Sequence, residues 1–162
     1  MTEGSAYRVL GVDPGLNITG YAVVAFGQGG PAIVEAGAIR TNGRAGMAER
    51  IAQIHSELSE IIAEFRPDIA AVENLYAHYK HPRTAILMAH ARGAVLLACS
   101  QANVAVHNHS ATHIKKSLTG NGHASKSQVQ RAVRSVCKLD ALPQPPDVAD
   151  AIAIALCAGR RY

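Results

Sequence analysis

A chain of 162 residues, 48% apolar and 17% charged, is sized and composed for one globular domain with its own hydrophobic core, which excludes a disordered segment. Sixteen basic against twelve acidic residues leave a net charge of +4, a balance that suits an acidic partner such as nucleic acid. Cys99, Cys137 and Cys157 form no CxxC pair and read as small buried hydrophobes of a reducing cytoplasm, the start MTEGSAYR lacks the apolar stretch of a secretory signal, and no run approaches the roughly 20 apolar residues of a membrane helix.

In chain order, Tyr7 to Val12 is apolar enough for a buried central strand, and Ile18 to Val24 follows as a second, rich in β-branched and aromatic residues. Between them Asp13-Pro14-Gly15 joins a fixed φ, a permissive glycine and one carboxylate at the mouth of an apolar strand. Gly27 to Gly30 is a turn, Ala32 to Arg40 a third strand, and Asn42 to Gly46 a loop. Met47, Ile51, Ile54, Leu58, Ile61, Ile62 and Phe65 recur at steps of three and four, which predicts an amphipathic helix ended by Pro67. Asp68 to Glu73 is a short buried strand. Asn74 to Thr84, NLYAHYKHPRT, is polar, aromatic and basic with Pro82 as a breaker, and reads as an exposed loop. Thr84 to Gln101 is a helix apolar nearly all round, a pattern that requires burial within the fold or cover by a partner. Val104 to His107 is a fifth strand and Ile114 to Leu118 a short helical stretch. Ser125 with Gln128 has the pattern of a capping box, opening a helix that reaches Cys137. The proline-rich link Leu142 to Pro146 hands over to a last helix, Asp147 to Ala158. Strands alternating with crossover helices predict an α/β fold, a five-stranded mixed sheet flanked by helices, with residues 1–162 as one domain.

Four carboxylates stand where such a framework can gather them. Asp13 ends the first strand and Glu73 the fourth; Asp147 and Asp150 open the last helix, three residues apart and on one face. Each has a structural alternative: Asp13 as a turn residue, Glu73 as the first solvated residue after a strand, Asp147 as an N-cap, Asp150 as a first-turn acid suited to the helix dipole. Taken together they form a site, because clustered carboxylates repel unless cations lie among them. Hard oxygen donors without cysteine select Mg2+ or Mn2+, and two such ions about 3.5–4 Å apart clamp a phosphodiester for in-line displacement. Lys115, Lys116, Lys126, Arg131 and Arg134 in the later half, with Lys80, Arg83 and Arg92 around the exposed loop, would hold phosphates beside such a site. His107, His109 and His113 have a spacing reminiscent of zinc ligands. With no cysteine near them in sequence, and a strand end that gives His107 and His109 different environments, zinc is not expected.

The segments GVDPGLNITGY, AAVENLY, ARG within the apolar helix, SKSQVQRAV and DVADAIAIA resemble, in order and spacing, the signatures of RuvC-type Holliday junction resolvases of the RNase H-like superfamily. The resemblance runs from about Val9 to Ala158, and its first and last motifs are the most specific. It implies an RNase H-like fold and a Mg2+-dependent endonuclease, cytoplasmic, that resolves four-way DNA junctions by paired symmetric nicks in recombination and repair. By it, Asp13, Glu73, Asp147 and Asp150 are the metal-binding catalytic acids. Lys126 and one of Lys115 and Lys116 contact DNA, and Tyr76 stacks on a base at the junction centre. A homodimer is implied, together with the junction-binding protein RuvA and the branch-migration motor RuvB. The segment from Asn74 to Arg92 is about one residue longer than the family pattern, and Tyr76 stands where the family carries Phe. A YqgF-type nuclease acting on RNA precursors shares the fold and the metal chemistry, but DVADAIAIA and ENLY favour the junction resolvase. The Asp-x-Gly turn also resembles the phosphate hairpin of actin-like ATPases, which need two such domains and a much longer chain.

Overall fold

The computed structural model describes residues 6–75 and 80–160. Five strands, β1 (Tyr7–Asp13), β2 (Ile18–Gly27), β3 (Gly30–Arg40), β4 (Ile69–Glu73) and β5 (Ala105–His109), form one sheet in the order β3-β2-β1-β4-β5. β2 pairs antiparallel with both β1 and β3, while β4 pairs parallel with both β1 and β5. The mixed five-stranded sheet expected from the sequence is therefore present. Its two hairpins join β1, β2 and β3, and the parallel pairs are bridged by α1 (Met47–Phe65) and α2 (Pro82–Gln101). α3 (Ala111–Thr119), α4 (Lys126–Val136) and α5 (Pro146–Gly159) follow.

Alternation along the strands divides the core in two. Leu10, Val12, Val23, Ala70 and Val72 face α1 and α2, where Ile54, Leu58 and Ile62 supply the buried stripe of α1. Val9, Ala22, Val24, Ile69 and Ala71 face α5, with α3 and α4 packed around it. The helix apolar on every side is α5: every residue from Ala151 to Gly159 is buried, as are Val148 and Ala149. α2 buries mainly small residues, Ala91, Ala94, Val95, Ala98 and Cys99, and leaves Ile86 58% and Leu97 51% exposed. Pro82 is its first residue and not a breaker, because a proline at that position surrenders an amide that would have no partner anyway. The Ser125–Gln128 capping box is formed. β5 is two residues longer than its apolar run, through Asn108 and His109.

Gly11 of β1 and Gly20 of β2 let α5 lie directly on the sheet. A side chain at Gly11 would overlap the Ala151 carbonyl and stand 2.7 Å from the Ala155 nitrogen; one at Gly20 would overlap the Asp147 backbone. With Ala151 and Ala155 opposite, helix and strand meet backbone to backbone. Gly11→Ala therefore forces the helix off the sheet and should lower the melting temperature by about 3–10 °C. Gly43→Ala, in open space, should leave it within about 2 °C. Thermal denaturation followed by circular dichroism compares the two.

Candidate active site

The chain reverses after β1 through Asp13-Pro14-Gly15, and the buried Thr19 holds that turn. Its hydroxyl donates to the Gly15 carbonyl at 2.7 Å and accepts from the Gly15 amide at 3.3 Å. A side chain at Gly15 would overlap the Ile18 carbonyl. The turn is thus closed by Thr19, a residue the sequence did not single out. β1 and β4 are in parallel register through Val12↔Val72, so the following residues, Asp13 and Glu73, end neighbouring strands at the same edge. Adjacent strands lie about 4.8 Å apart. Both acids point to the α5 face, because they share the parity of Val9, Gly11, Ile69 and Ala71.

Asp147 reaches the same place by a different route. Gly20 is the register partner of Asp13, and the Asp147 backbone rests on Gly20. Asp150, one turn further along α5, lines a groove with Glu73, Lys115 and Lys126. Asp147 is not the N-cap: Pro145 takes that position without a side-chain cap bond, and Pro146 is the first helical residue. Glu73 is the last residue of its strand, half-buried, and not a solvated residue beyond it.

The electrostatics follow from this crowding. Asp13 is raised from the ordinary 3.8 to about 7, first by burial and then by the charges of Asp150, Asp147 and Glu73, with Lys126 pulling the other way. Glu73 is raised by burial and by Asp150, and lowered by Lys115. Asp150 is raised by burial, while Lys126, its partner in an ion pair of 3.4 Å, lowers it. Two lysines thus alternate with the acids: Lys115 from α3 and Lys126 from the first position of α4. Lys116, one residue on, is exposed and stands outside the groove lining that contains Lys115. Tyr76 lies outside the described residues.

Beside Asp13 and Glu73 opens a cavity of about 510 Å3, walled by His81, the N-cap of α2, and by Thr84, Met88 and Arg92 of that helix. Arg92 hydrogen-bonds the Asn108 side-chain oxygen, which fixes its guanidinium at that wall. The sequence placed Arg92 only among the general basic residues; its position within an apolar helix was the available signal. His107 and His109 also depart from expectation. Because β5 continues to His109, the two alternate onto the same face, and the structure brings Cys157 close to His109.

Among the described residues no helix is long and apolar enough to cross a membrane. The family model described as "Crossover junction endodeoxyribonuclease RuvC" matches residues 9–158. The chain is 49% identical over 156 residues to the crossover junction endodeoxyribonuclease RuvC of Rhodopirellula baltica, covering 95% of this chain and 86% of that one. It is 38% identical over 151 residues to that of Caldicellulosiruptor saccharolyticus, covering 93% and 90%. Among solved structures, Thermus thermophilus RuvC in complex with Holliday junction substrate matches with a TM-score of 0.88 and 34% identity, over 94% of this chain and 93% of that one. The yeast mitochondrial Holliday junction resolvase Ydc2, 12% identical, shares the fold with a TM-score of 0.68, over 94% and 78% of the two chains.

The raised acids make metal-free stability depend on pH. Between 3.8 and about 7 the native state holds a proton on Asp13 that the unfolded chain releases, so stability falls as pH rises through that window. Glu73 and Asp150, also raised, act in the same direction. In EDTA the wild-type melting temperature should fall between about pH 4 and about pH 8. Asp13→Asn should flatten the slope and melt higher than wild type at the upper end. A flat wild-type profile would show that the acids are not crowded.

Proposed function

The chain belongs to the RuvC family of crossover junction endodeoxyribonucleases, the Holliday junction resolvases, and from that premise we propose that Asp13, Glu73, Asp147 and Asp150 hold two Mg2+ or Mn2+ ions for phosphodiester hydrolysis. The observation that carries this reading is Asp13, a half-buried carboxylate whose pKa is raised to about 7 first by burial and then by the charges of Asp150, Asp147 and Glu73. Such a group is at odds with its surroundings until cations join it. The donors are hard oxygens with no thiolate among them, a set suited to Mg2+ or Mn2+. When bound, the ions supply the charge that activates water and neutralises the leaving oxygen of an in-line displacement.

The protein's own part is placement. Strand ends fix Asp13 and Glu73, and the first two turns of α5 fix Asp147 and Asp150, so the donors arrive on rigid elements. Lys126 pairs with Asp150, and the charge of Lys115 acts on Glu73. With the acids neutralised, the same ammonium groups would be available to phosphate oxygens of the substrate. Lys115 is assigned this role ahead of Lys116 because it lines the groove. Tyr76, three residues beyond Glu73, is assigned the base-stacking role of the family's aromatic. Stacking on an aromatic ring is worth roughly 1–3 kcal/mol per base and accepts Tyr as well as Phe.

Resolution needs cuts in two opposed strands, so one site per subunit calls for a C2 dimer. Ile86 and Leu97, eleven residues apart on one face of α2 and both exposed, are the apolar anchors we assign to that contact. RuvA and RuvB as partners rest on the family resemblance, and the cytoplasm as the compartment rests on that resemblance and on cysteines that form no CxxC pair.

Asp13→Asn, Glu73→Gln, Asp147→Asn and Asp150→Asn should each cut four-way junctions at background level in Mg2+ while still binding them in a gel-shift assay. Near-normal cleavage by any two would refute the two-metal site. Leu97→Asp should sediment as a monomer at micromolar concentration and nick without paired resolution; a variant that remains dimeric would remove α2 from the interface. Tyr76→Ala should cut poorly and Tyr76→Phe almost normally, both melting near the wild-type temperature. Unchanged cleavage per folded Tyr76→Ala molecule would make the ring structural.

A further inference from the structure

A second set of metal-type donors lies beside the acidic site and shares none of its residues. His109 ends β5, His113 stands in the first turns of α3 and Cys157 lies near the end of α5. One ligand atom from each, two ring nitrogens and the thiol sulfur, all fall within 4.8 Å of one another. The two imidazoles face each other with centroids 5.6 Å apart and planes 21° from parallel. His109 and Cys157 are buried, and His113 is half-buried. Three elements distant in sequence therefore deliver imidazole and thiol groups to one point.

This donor set differs in kind from the four carboxylates. Imidazole nitrogen and thiolate sulfur suit Zn2+ and other borderline-soft ions, whereas Mg2+ and Mn2+ prefer oxygen. Zn–N and Zn–S distances of about 2.0–2.1 and 2.3 Å set tetrahedral donors roughly 3.3–3.7 Å apart, inside the observed spread. We propose that His109, His113 and Cys157 form a Zn2+-type site, with water in the fourth position reaching it from the half-exposed His113 side. Binding forms one metal–sulfur bond and two metal–nitrogen bonds and releases the Cys157 thiol proton to solvent.

The site's location gives it a structural role. His109 is the register partner of Glu73, and the Asn74 amide donates to the His109 carbonyl at 2.8 Å. Lys115 follows His113 by two residues on α3, and Asp150 and Cys157 share α5. An ion at this point ties together β5, α3 and α5, the three elements that back the groove lined by Glu73, Lys115 and Asp150. It touches no residue assigned to the reaction and acts as a staple behind the active site.

Co2+ titration of the full chain, in Mg2+ sufficient to fill the acidic site, tests this through the thiolate-to-Co2+ charge-transfer band. The expected result is a band saturating at one equivalent, abolished by one equivalent of Zn2+, and retained in Asp13→Asn, where the acidic site is impaired. Cys157→Ala should lose the band altogether. His113→Asn, at the most accessible of the three positions, should weaken Co2+ binding at least tenfold while melting like wild type in EDTA. Zn2+ should raise the wild-type melting temperature and leave that of His113→Asn unmoved. Absence of the band in wild type, or its survival in Cys157→Ala, would overturn the site. If Cys157→Ala does not fold, unchanged Co2+ affinity in His113→Asn would overturn it equally.

Discussion

The backbone contact between α5 and the β1–β2 hairpin is the constraint on which the rest of the structure depends. Gly11 and Gly20 strip two positions of the sheet to bare backbone, and Ala151 and Ala155 do the same on the facing side of the helix. The helix settles into that trough, and its burial is nearly complete beyond Asp150. Small side chains give up apolar area that larger ones would contribute, so the contact is not the most stabilising arrangement available to a helix on a sheet. What it provides is position: the Asp147 backbone touches Gly20, and Gly20 is paired with Asp13.

Position comes with electrostatic tension. Asp13 is raised to about 7, first by burial and then by the charges of Asp150, Asp147 and Glu73. Lys115 and Lys126 relieve part of that repulsion from α3 and α4, two helices that Ile114, Val129 and Val133 anchor in the core beside α5. Active sites commonly hold such local instability, offset by the rest of the fold. Here the offset lies in two hydrophobic layers and a central strand pair buried from Val9 to Val12 and from Ile69 to Val72.

Much of this was legible in the sequence, and the rest for identifiable reasons was not. Strand alternation and the helical stripe from Met47 to Phe65 located the sheet and α1, and the apolar runs ending in Asp13 and Glu73 located two of the acids. Burial of α2 and α5 was not separable by composition alone: both are apolar all round, and only packing decides that α5 is enclosed while Ile86 and Leu97 stay exposed. Pro82 and Asp147 were misplaced by one or two positions, because proline opens a helix as readily as it ends a loop. The polar residues Asn108 and His109 extend β5 through pairing with Val72 and Glu73, which no apolar pattern announces. The choice between Lys115 and Lys116 needed the rotation of α3, and the meeting of Cys157 with His109 and His113 needed the whole tertiary fold.

The central claim is that α5 carries Asp147 and Asp150 to Asp13 and Glu73 so that cations can lie among them. Anomalous scattering from crystals of the full chain soaked in Mn2+ tests it most directly. The account predicts manganese peaks enclosed by all four carboxylates at the edge shared by β1, β4 and α5. Manganese bound by Asp13 and Glu73 alone, with Asp147 and Asp150 turned to solvent, or no peak at that edge, would contradict it.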